Sequence, residues 1–317
     1  MFKLFELKAT QQANWISQTC QGENINCTIM STTQDIVSQI SDYYAGRSIF
    51  ITGGTGFMGK VLLEKLLRSC PGINKIYVLI RTKKGQLPQD RLQAMLKGRL
   101  FTPLTSRLQA YQASTVLSKV VAVAGDITEP NLGISMADEQ MLVNDVSVIF
   151  HAAATVKFDD DLADSIKMNV KGTLSIVNLA RKVHSLSSLV HVSTAYSHCY
   201  TSSEIEEKFY PMPTNNYSRY SPDELIELCN EAKTNGRDIT KDIIGVFPNT
   251  YTFTKAMAEK VIEEKASDLP VAIMRPSIVV ASWKEPMPGW VDNLNGPTGK
   301  LSANQIDPSH VLYFLTI

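Results

Sequence analysis

The stretch that decides the fold is SIFITGGTGFMGKVLLEKL, residues 48–66. Its apolar start predicts a buried strand, and the sequence then runs through a glycine-rich turn into an amphipathic helix. Glycines in such a unit allow a tight turn, let backbone approach a pyrophosphate, and let the helix pack closely on the strand. The positive end of the helix would face the phosphates. The predicted nucleotide-binding residues are Gly53, Thr55, Gly56, Phe57, Met58 and Gly59.

Further apolar strands follow this unit, and helical patterns separate them. The predicted strands are Lys75–Ile80, Lys119–Gly125, Val146–His151 and Leu189–Ser193, with a sixth in VAIMRPSIVV, residues 271–280. Strands that alternate with helices predict an α/β fold with a doubly wound parallel sheet of the Rossmann type. Ligands of such sheets bind at the carboxyl ends of the strands.

The composition excludes several classes of protein. Among 317 residues 44% are hydrophobic and the formal net charge is zero, so the chain can bury a core and offers no nucleic-acid surface. Its five cysteines lack a CxxC spacing, which favours reduced thiols and predicts no metal site. No signal peptide and no apolar run of about 18 residues is found, so we expect a soluble intracellular chain without a membrane segment.

The end of the second strand is cationic, RTKK, residues 81–84. An acidic residue there favours the free 2′-hydroxyl of NAD, whereas arginine favours the 2′-phosphate of NADP. Arg81 is therefore the predicted phosphate ligand, and Arg91 on the following helix is a second candidate. A solvated loop with three positive charges is the alternative.

The ends of the third and fourth strands supply further candidates. Asp126, followed by Ile127, could bind the adenine amino group, although aspartate also starts turns for local reasons. The small side chains of Ala152 and Ala153 would let backbone lie against a flat cofactor. His151 precedes them, and we expect it to be structural rather than catalytic.

Two residues downstream are candidates for acid–base chemistry. Tyr251 and Lys255 share one face of a predicted helix. A phenol has a pKa near 10, and an ammonium about 4 Å away would lower it by about 3 units before burial opposes the effect. We therefore expect Tyr251 to donate a proton, while a hydroxyl of Thr194 or Ser193 holds the substrate oxygen. Tyr-x-x-x-Lys alone is common on helix surfaces, and only the whole set in this order is specific.

These motifs together resemble a known superfamily. GGTGFMGK, NVKGT with Asn169, VSTAY and Tyr251-x-x-x-Lys255 are similar to the extended short-chain dehydrogenases/reductases. The sequence resembles animal fatty acyl-CoA reductases more closely still, above all in PNTYTFTKAMAE and MRPSIVVASWKEPMPGWVDNLNGPTG. The resemblance is nearly continuous from about Tyr43 to Gly299.

The resemblance implies an NADPH-dependent reduction of long-chain acyl-CoA to fatty alcohol through the aldehyde, with release of CoA. It makes Tyr251 the proton donor, Lys255 its charge partner and ribose anchor, and Thr194 the hydroxyl in preference to Ser193. It adds Asn169 to the cofactor site. A reductase that releases the aldehyde is a close alternative. Family members also suggest peroxisomal or endoplasmic-reticulum membranes as the location.

The resemblance also divides the chain. Residues 1–42 are predicted to be a poorly ordered extension, with Met30 as a more natural start, and residues 43–299 the reductase domain. Residues 200–248 are expected to form part of a substrate lobe, and residues 300–317 a divergent tail. Because the resemblance stops at Gly299, a truncated, inactive nucleotide-binding fragment is the second hypothesis. Trp283 and Trp290 either line an acyl tunnel or pack ordinarily.

Overall fold

The computed structural model describes residues 33–201 and 204–293. Two units are distinguished, residues 1–40 and residues 41–317. The first element, helix α1 (Thr33–Tyr44), begins in the first unit and ends in the second. The predictions for residues 1–32, for Met30 as the start and for the tail at 300–317 lie outside the described residues.

The second unit is built on one parallel sheet. Its six strands are β1 (Ser48–Thr52), β2 (Ile76–Ile80), β3 (Val120–Ala124), β4 (Val146–His151), β5 (Ser188–Val192) and β6 (Val271–Met274). Their order is β3-β2-β1-β4-β5-β6, and every neighbouring pair is parallel. This confirms the doubly wound α/β fold. The order reverses between β1 and β4, which is where such sheets open a crevice for ligands.

The last strand is shorter than predicted. β6 ends at Met274, whereas the prediction continued the strand to residue 280. Pro276 has no N–H with which to continue the ladder, and its carbonyl instead accepts the Ala195 N–H at 2.9 Å. The prediction failed because the apolar run was taken as strand without regard to the proline.

Helices connect the strands. They are α2 (Phe57–Ser69), α3 (Pro88–Leu96), α4 (Thr102–Thr105), α5 (Ala110–Leu117), α6 (Met136–Asp145), α7 (Leu162–Ile166), α8 (Gly172–Lys182), α9 (Pro222–Thr234), α10 (Thr240–Ile244) and α11 (Thr250–Lys265). A π-helical turn, Lys167–Lys171, joins α7 to α8. Residues 162–182 therefore form one helical run with a π-helical turn in its middle.

Two apolar clusters organise the unit. The first lies on one face of the sheet and includes Phe50, Ile149, Ile176 and Ile262. The second, the lobe cluster, joins α7, α9, α10 and the start of α11, with Leu162, Leu225, Ile243, Phe247 and Phe253 among its members. Much of the segment at 200–248 thus packs on the helices that carry the candidate site.

Candidate active site

The glycine turn lies against the end of β4. Gly53 has φ +74°, and a Cβ there would be 2.6 Å from both the Ala152 carbonyl carbon and the Ala153 nitrogen. Gly59 packs on the turn itself, since its Cβ would be 2.2 Å from the Gly53 oxygen. The N-cap of α2, Gly56, brings no side-chain cap. A cradle without side chains at the start of a helix fits the pyrophosphate of a dinucleotide.

The side chains of this turn have other contacts. The Phe57 ring stacks on Trp290 at 5.1 Å between centroids and 8° between planes. Thr55 and Trp290 line a cleft of about 410 Å³ together with Lys60, Arg91 and Arg99. Trp290 is thus a packing partner of α2, which favours the second of the two readings of this residue. Trp283 is 72% exposed.

Arg81 and Asp126 meet at the ends of β2 and β3. The Arg81 guanidinium is 3.5 Å from a carboxylate oxygen of Asp126, and Arg91 donates to the Arg81 carbonyl oxygen. The other Asp126 oxygen accepts from the Thr128 N–H at 3.0 Å and from its hydroxyl at 2.9 Å. Burial would raise the pKa of Asp126, but these hydrogen bonds and Arg81 lower it. Thr128 therefore already uses one of the two Asp126 carboxylate oxygens that could accept a hydrogen bond from the adenine amino group.

The side chains of Ile127 and Asn169 make contacts within the protein. The Ile127 side chain is buried in the first apolar cluster, so only its backbone could face a cofactor. The buried Asn169 amide accepts the Thr155 N–H at 2.9 Å and donates to the Thr254 hydroxyl, also at 2.9 Å. Asn169 thereby ties the loop after β4 to α11. In the described structure this amide positions elements rather than facing open space.

His151 is structural, as predicted. Its ring nitrogens contact the Thr52 hydroxyl at 2.8 Å and the Thr173 hydroxyl at 3.0 Å. The side chain is buried, and burial together with the charge of Lys255 lowers its pKa to about 3. A neutral imidazole whose two nitrogens are both hydrogen-bonded within the protein does not act as an acid at neutral pH.

Tyr251 and Thr194 are brought together. Asn249 caps α11 by accepting the Thr252 N–H at 2.9 Å, so the helix begins with Tyr251 in its first turn. The Thr194 side chain, just beyond the end of β5, lies close enough to the Tyr251 phenol to lower its pKa. Phe158, in the loop after β4, lies beside the Tyr251 ring at 5.8 Å between centroids.

The direction of the Tyr251 pKa shift is opposite to our expectation. Burial is the largest effect and raises the pKa, and the Thr194 side chain only partly opposes it. The Lys255 ammonium instead donates to the Val192 carbonyl at 2.8 Å. The prediction of a lowered pKa was wrong for the protein alone because burial of the phenol raises the pKa by more than the Thr194 side chain lowers it.

Ser193 does not share the position of Thr194. Its hydroxyl donates to the carboxylate of Glu259, two helical turns beyond Tyr251. Successive side chains of an extended segment point in opposite directions, so only one of the two hydroxyls can face the phenol. The structure assigns that place to Thr194 and removes Ser193 from the substrate side.

Lys255 is buried beside two histidines. Its ammonium is 3.4 Å from the His191 ring, and His191 lies 5.2 Å from His151 between centroids. Burial lowers the pKa of Lys255 to about 8, although Glu259 opposes the shift. The ammonium form therefore still predominates at neutral pH.

This shift predicts a pH dependence of stability. Between about pH 8 and pH 10.5 the folded Lys255 has lost its proton while the unfolded lysine keeps it. The unfolded state then binds more protons, so Lys255 makes the free energy of unfolding rise with pH, by about 3 kcal/mol over this window. Denaturant titrations of the parent and of Lys255→Met should show this rise in their difference. A difference in the free energy of unfolding that does not change with pH would contradict a buried Lys255 whose pKa is lowered to about 8.

Several residues of the site escaped the sequence analysis. Glu259 was overlooked although the spacing 251, 255, 259 repeats every four residues and places all three side chains on one helix face. His191 pairs in register with His151 on the neighbouring strand, but nothing in the sequence shows that pairing. The other missed residues around the site are Phe158, Ser197, His198, Thr254 and Arg275.

Residues 33–201 and 204–293 contain no group of histidine, cysteine and carboxylate side chains that could hold a metal ion. Within the same residues no helix is long and apolar enough to cross a bilayer.

Known proteins share this arrangement. A family model of NAD-binding domains, described as Male sterility protein, matches residues 51–307. The chain belongs to this family. As a male sterility family protein, it carries a domain for a nicotinamide cofactor, and the glycine cradle fits that group.

Curated relatives of this male sterility family protein are fatty acyl-CoA reductases. Fatty acyl-CoA reductase 1 of Rattus norvegicus is 45% identical over 267 residues, 83% of this chain and 49% of that protein. The Homo sapiens protein of the same name is 44% identical over the same shares. A putative fatty acyl-CoA reductase of Drosophila melanogaster is 39% identical over 88% of this chain and 54% of its own length. The chain thus spans about half the length of these relatives.

Two solved structures similar to the male sterility family protein are reductase domains. The terminal R domain of the myxalamid PKS-NRPS pathway is 26% identical, with a TM-score of 0.52 over 79% of this chain and 53% of its own. The PhqB reductase domain of Penicillium fellutanum has a TM-score of 0.51 over 85% of this chain and 60% of its own. At 18% identity the second likeness shows the fold alone.

Proposed function

We propose that the chain carries the catalytic domain of an NADPH-dependent reductase that converts long-chain acyl-CoA to fatty alcohol through the aldehyde, releasing CoA. The observation that carries the proposal is the placement of the Tyr251 phenol beside the Thr194 side chain just beyond β5, with Lys255 one helical turn further along α11 and bound to the Val192 carbonyl. A phenol and a hydroxyl aimed at one point can bind a carbonyl oxygen. The relatives named as fatty acyl-CoA reductases support the acyl-CoA substrate.

Tyr251, Thr194 and Lys255 each have a different role in the proposed reaction. NADPH, when bound, supplies the hydride for the thioester carbonyl carbon. Tyr251 gives its proton to the oxygen on which charge develops, and the Thr194 hydroxyl orients that oxygen. The hemithioacetal then returns its hydroxyl proton to the Tyr251 phenolate, loses CoA thiolate and leaves the aldehyde. A second NADPH, bound in place of the oxidised cofactor, would supply the hydride that together with the Tyr251 proton gives the alcohol. Lys255, held by the Val192 carbonyl, supplies the positive charge that favours the phenolate left behind.

Apolar surface next to this pair supports a fatty substrate. Phe158 is 63% exposed although it touches the Tyr251 ring. On the other side, Pro276 accepts the Ala195 N–H, and the residues that follow it expose apolar side chains. The large apolar side chains exposed in these segments are Val156, Phe158, Tyr196, Ile278, Val279 and Val280. Burial of such side chains by an acyl chain would favour binding.

The proposal is tested with purified protein, palmitoyl-CoA and NADPH. We expect loss of NADPH absorbance, release of free CoA thiol, and hexadecanol in the extracted products. Acetyl-CoA serves as the matched substrate without a long chain, and we expect it to react far more slowly. Aldehyde that accumulates without alcohol would support the aldehyde-releasing alternative. NADPH binding without turnover would overturn the proposal for this chain and favour the fragment hypothesis.

We expect Arg81 to favour NADPH over NADH. Its side chain is 51% exposed at the end of β2, where a dinucleotide-binding fold meets the adenine ribose. Arg81→Glu should weaken NADPH binding by about 2 kcal/mol, roughly 30-fold, because a charge-assisted hydrogen bond is replaced by repulsion. NADH binding should change little, as followed by fluorescence titration with each cofactor. The control is Lys84→Glu, the same charge change in the same turn, and equal effects of both variants would remove Arg81 from the phosphate site.

A further inference from the structure

Glu259 is a buried carboxylate that the proposed reaction does not use. Its side chain is 2% exposed. Burial would raise its pKa, but hydrogen bonds from His198, Arg275 and Ser193 hold the pKa at about 2. The group is therefore an anion at every pH at which the protein works, and it can neither give nor take a proton there. Such a costly group calls for a role other than acid–base chemistry.

The donors around Glu259 come from the turn that carries Thr194. Ser193 and Ser197 both donate to its Oε1, the latter at 2.9 Å. His198 contacts Oε2, also at 2.9 Å. These three residues bracket Thr194, whose carbonyl accepts the Ser197 hydroxyl at 2.9 Å. The carboxylate thus holds the short segment at 193–198 at three points.

Helix α11 contacts this segment and the end of β5 at three successive turns. Tyr251 lies beside Thr194, Lys255 donates to the Val192 carbonyl, and Glu259 accepts from Ser193. The three helix residues are spaced by four, so they lie on one face over about 12 Å. If the contact between Glu259 and Ser193 moved, Thr194 would therefore shift relative to Tyr251.

We propose that Glu259 is a positioning residue, which fixes the Thr194 hydroxyl against Tyr251 by holding the turn at 193–198. This role rests on the proposed function of Tyr251 and Thr194 and deepens it. Arg275, after β6, extends the clamp. It donates to Glu259 Oε2 at 2.6 Å and to the Lys208 carbonyl of the lobe segment (residues 200–248) at 2.8 Å. The charged and titratable groups that face the carboxylate are Lys255 from its own helix, His198 from the turn and Arg275.

A readout that requires no turnover tests the proposal. The Thr194 side chain lowers the pKa of Tyr251, so loosening the turn should raise it. This pKa can be measured in the free protein by NMR of ring-labelled tyrosine, with Tyr251→Phe to assign the signal. We expect Glu259→Gln to raise the pKa of Tyr251. Where turnover is measurable, kcat should fall roughly 10- to 100-fold with NADPH affinity unchanged.

Two further variants separate positioning from general destabilisation. In a Thr194→Val background, Glu259→Gln should not shift the Tyr251 pKa again, because the contact it supports is already gone. Glu64→Gln is the matched control. Glu64 is a buried carboxylate on α2 that pairs with Arg68 at 2.8 Å, and its loss should lower stability without moving the Tyr251 pKa.

The outcomes decide between the readings. If Glu259→Gln does not fold, the double variant Ser193→Ala and Ser197→Ala removes two contacts and leaves the carboxylate paired with Arg275 and His198. An unchanged Tyr251 pKa in the folded variant would overturn the proposal, and so would an equal shift in Glu64→Gln. A shifted pKa in a protein that shows no acyl-CoA reduction would refute the proposed function and leave the positioning role intact.

Discussion

Replacing Tyr251 with phenylalanine is expected to lower kcat by about 10²- to 10⁴-fold, because the variant retains the ring and loses the proton donor. The ring still packs beside Phe158 and the helix still begins at its Asn249 cap, so NADPH affinity should stay nearly the same. Steady-state rates with palmitoyl-CoA and fluorescence titration with NADPH measure the two effects separately.

The matched control for this substitution is Tyr77→Phe. Tyr77 is a buried tyrosine in β2 whose hydroxyl donates to Asp145 at 2.7 Å. Loss of that hydroxyl should cost stability and leave kcat unchanged. If Tyr251→Phe kept most of the parent's kcat, or if both variants lost the same activity, Tyr251 would not be the acid.

Replacing Gly53 with alanine should damage the cofactor site strongly. The added Cβ would lie 2.6 Å from the backbone at Ala152 and Ala153, and φ is +74°. The turn must move away from β4 to relieve this contact, which displaces the groups that hold the pyrophosphate. We expect NADPH binding to weaken by about 2–3 kcal/mol, roughly 30- to 150-fold, together with a lower free energy of unfolding.

Gly236→Ala separates the two causes of this effect. Gly236 has a similar φ, +69°, but nothing lies within 4 Å of its missing Cβ. The variant therefore bears the backbone strain without the clash, so it should lose some stability and keep its NADPH affinity. Equal losses of affinity in the two variants would show that the contact with β4 is not what makes Gly53 necessary.

The sequence predicted the features that depend on local patterns. The apolar runs located all six strands, since a buried parallel strand is apolar on both faces. The spacing of Tyr251 and Lys255 located the helix of the site. The order of the motifs predicted that the glycine turn and these residues belong to one crevice, and the sheet order agrees with it.

The rest of the site depends on contacts between distant segments. A shift of one position at the end of β5 decides whether Ser193 or Thr194 faces the phenol. The apolar pattern alone does not locate the end of a strand to one residue. The sign of the Tyr251 pKa shift depends on burial by neighbouring elements. The clamp at Glu259 joins α11, the turn after β5 and Arg275, and no local pattern reports that assembly.

Helix α11 belongs to both apolar clusters, since Phe253 packs in the lobe cluster and Ile262 packs against the sheet. Tyr251 lies on the same face of the helix as Ile262, about three turns before it. A rigid-body swing of the lobe away from the sheet would therefore have to pull apart packing at one end of this helix. Under the proposed function, an acyl chain is thus expected to enter through rearrangement of the exposed loop near Phe158 and of the irregular residues 278–280, while the packing of α11 keeps Tyr251 in place.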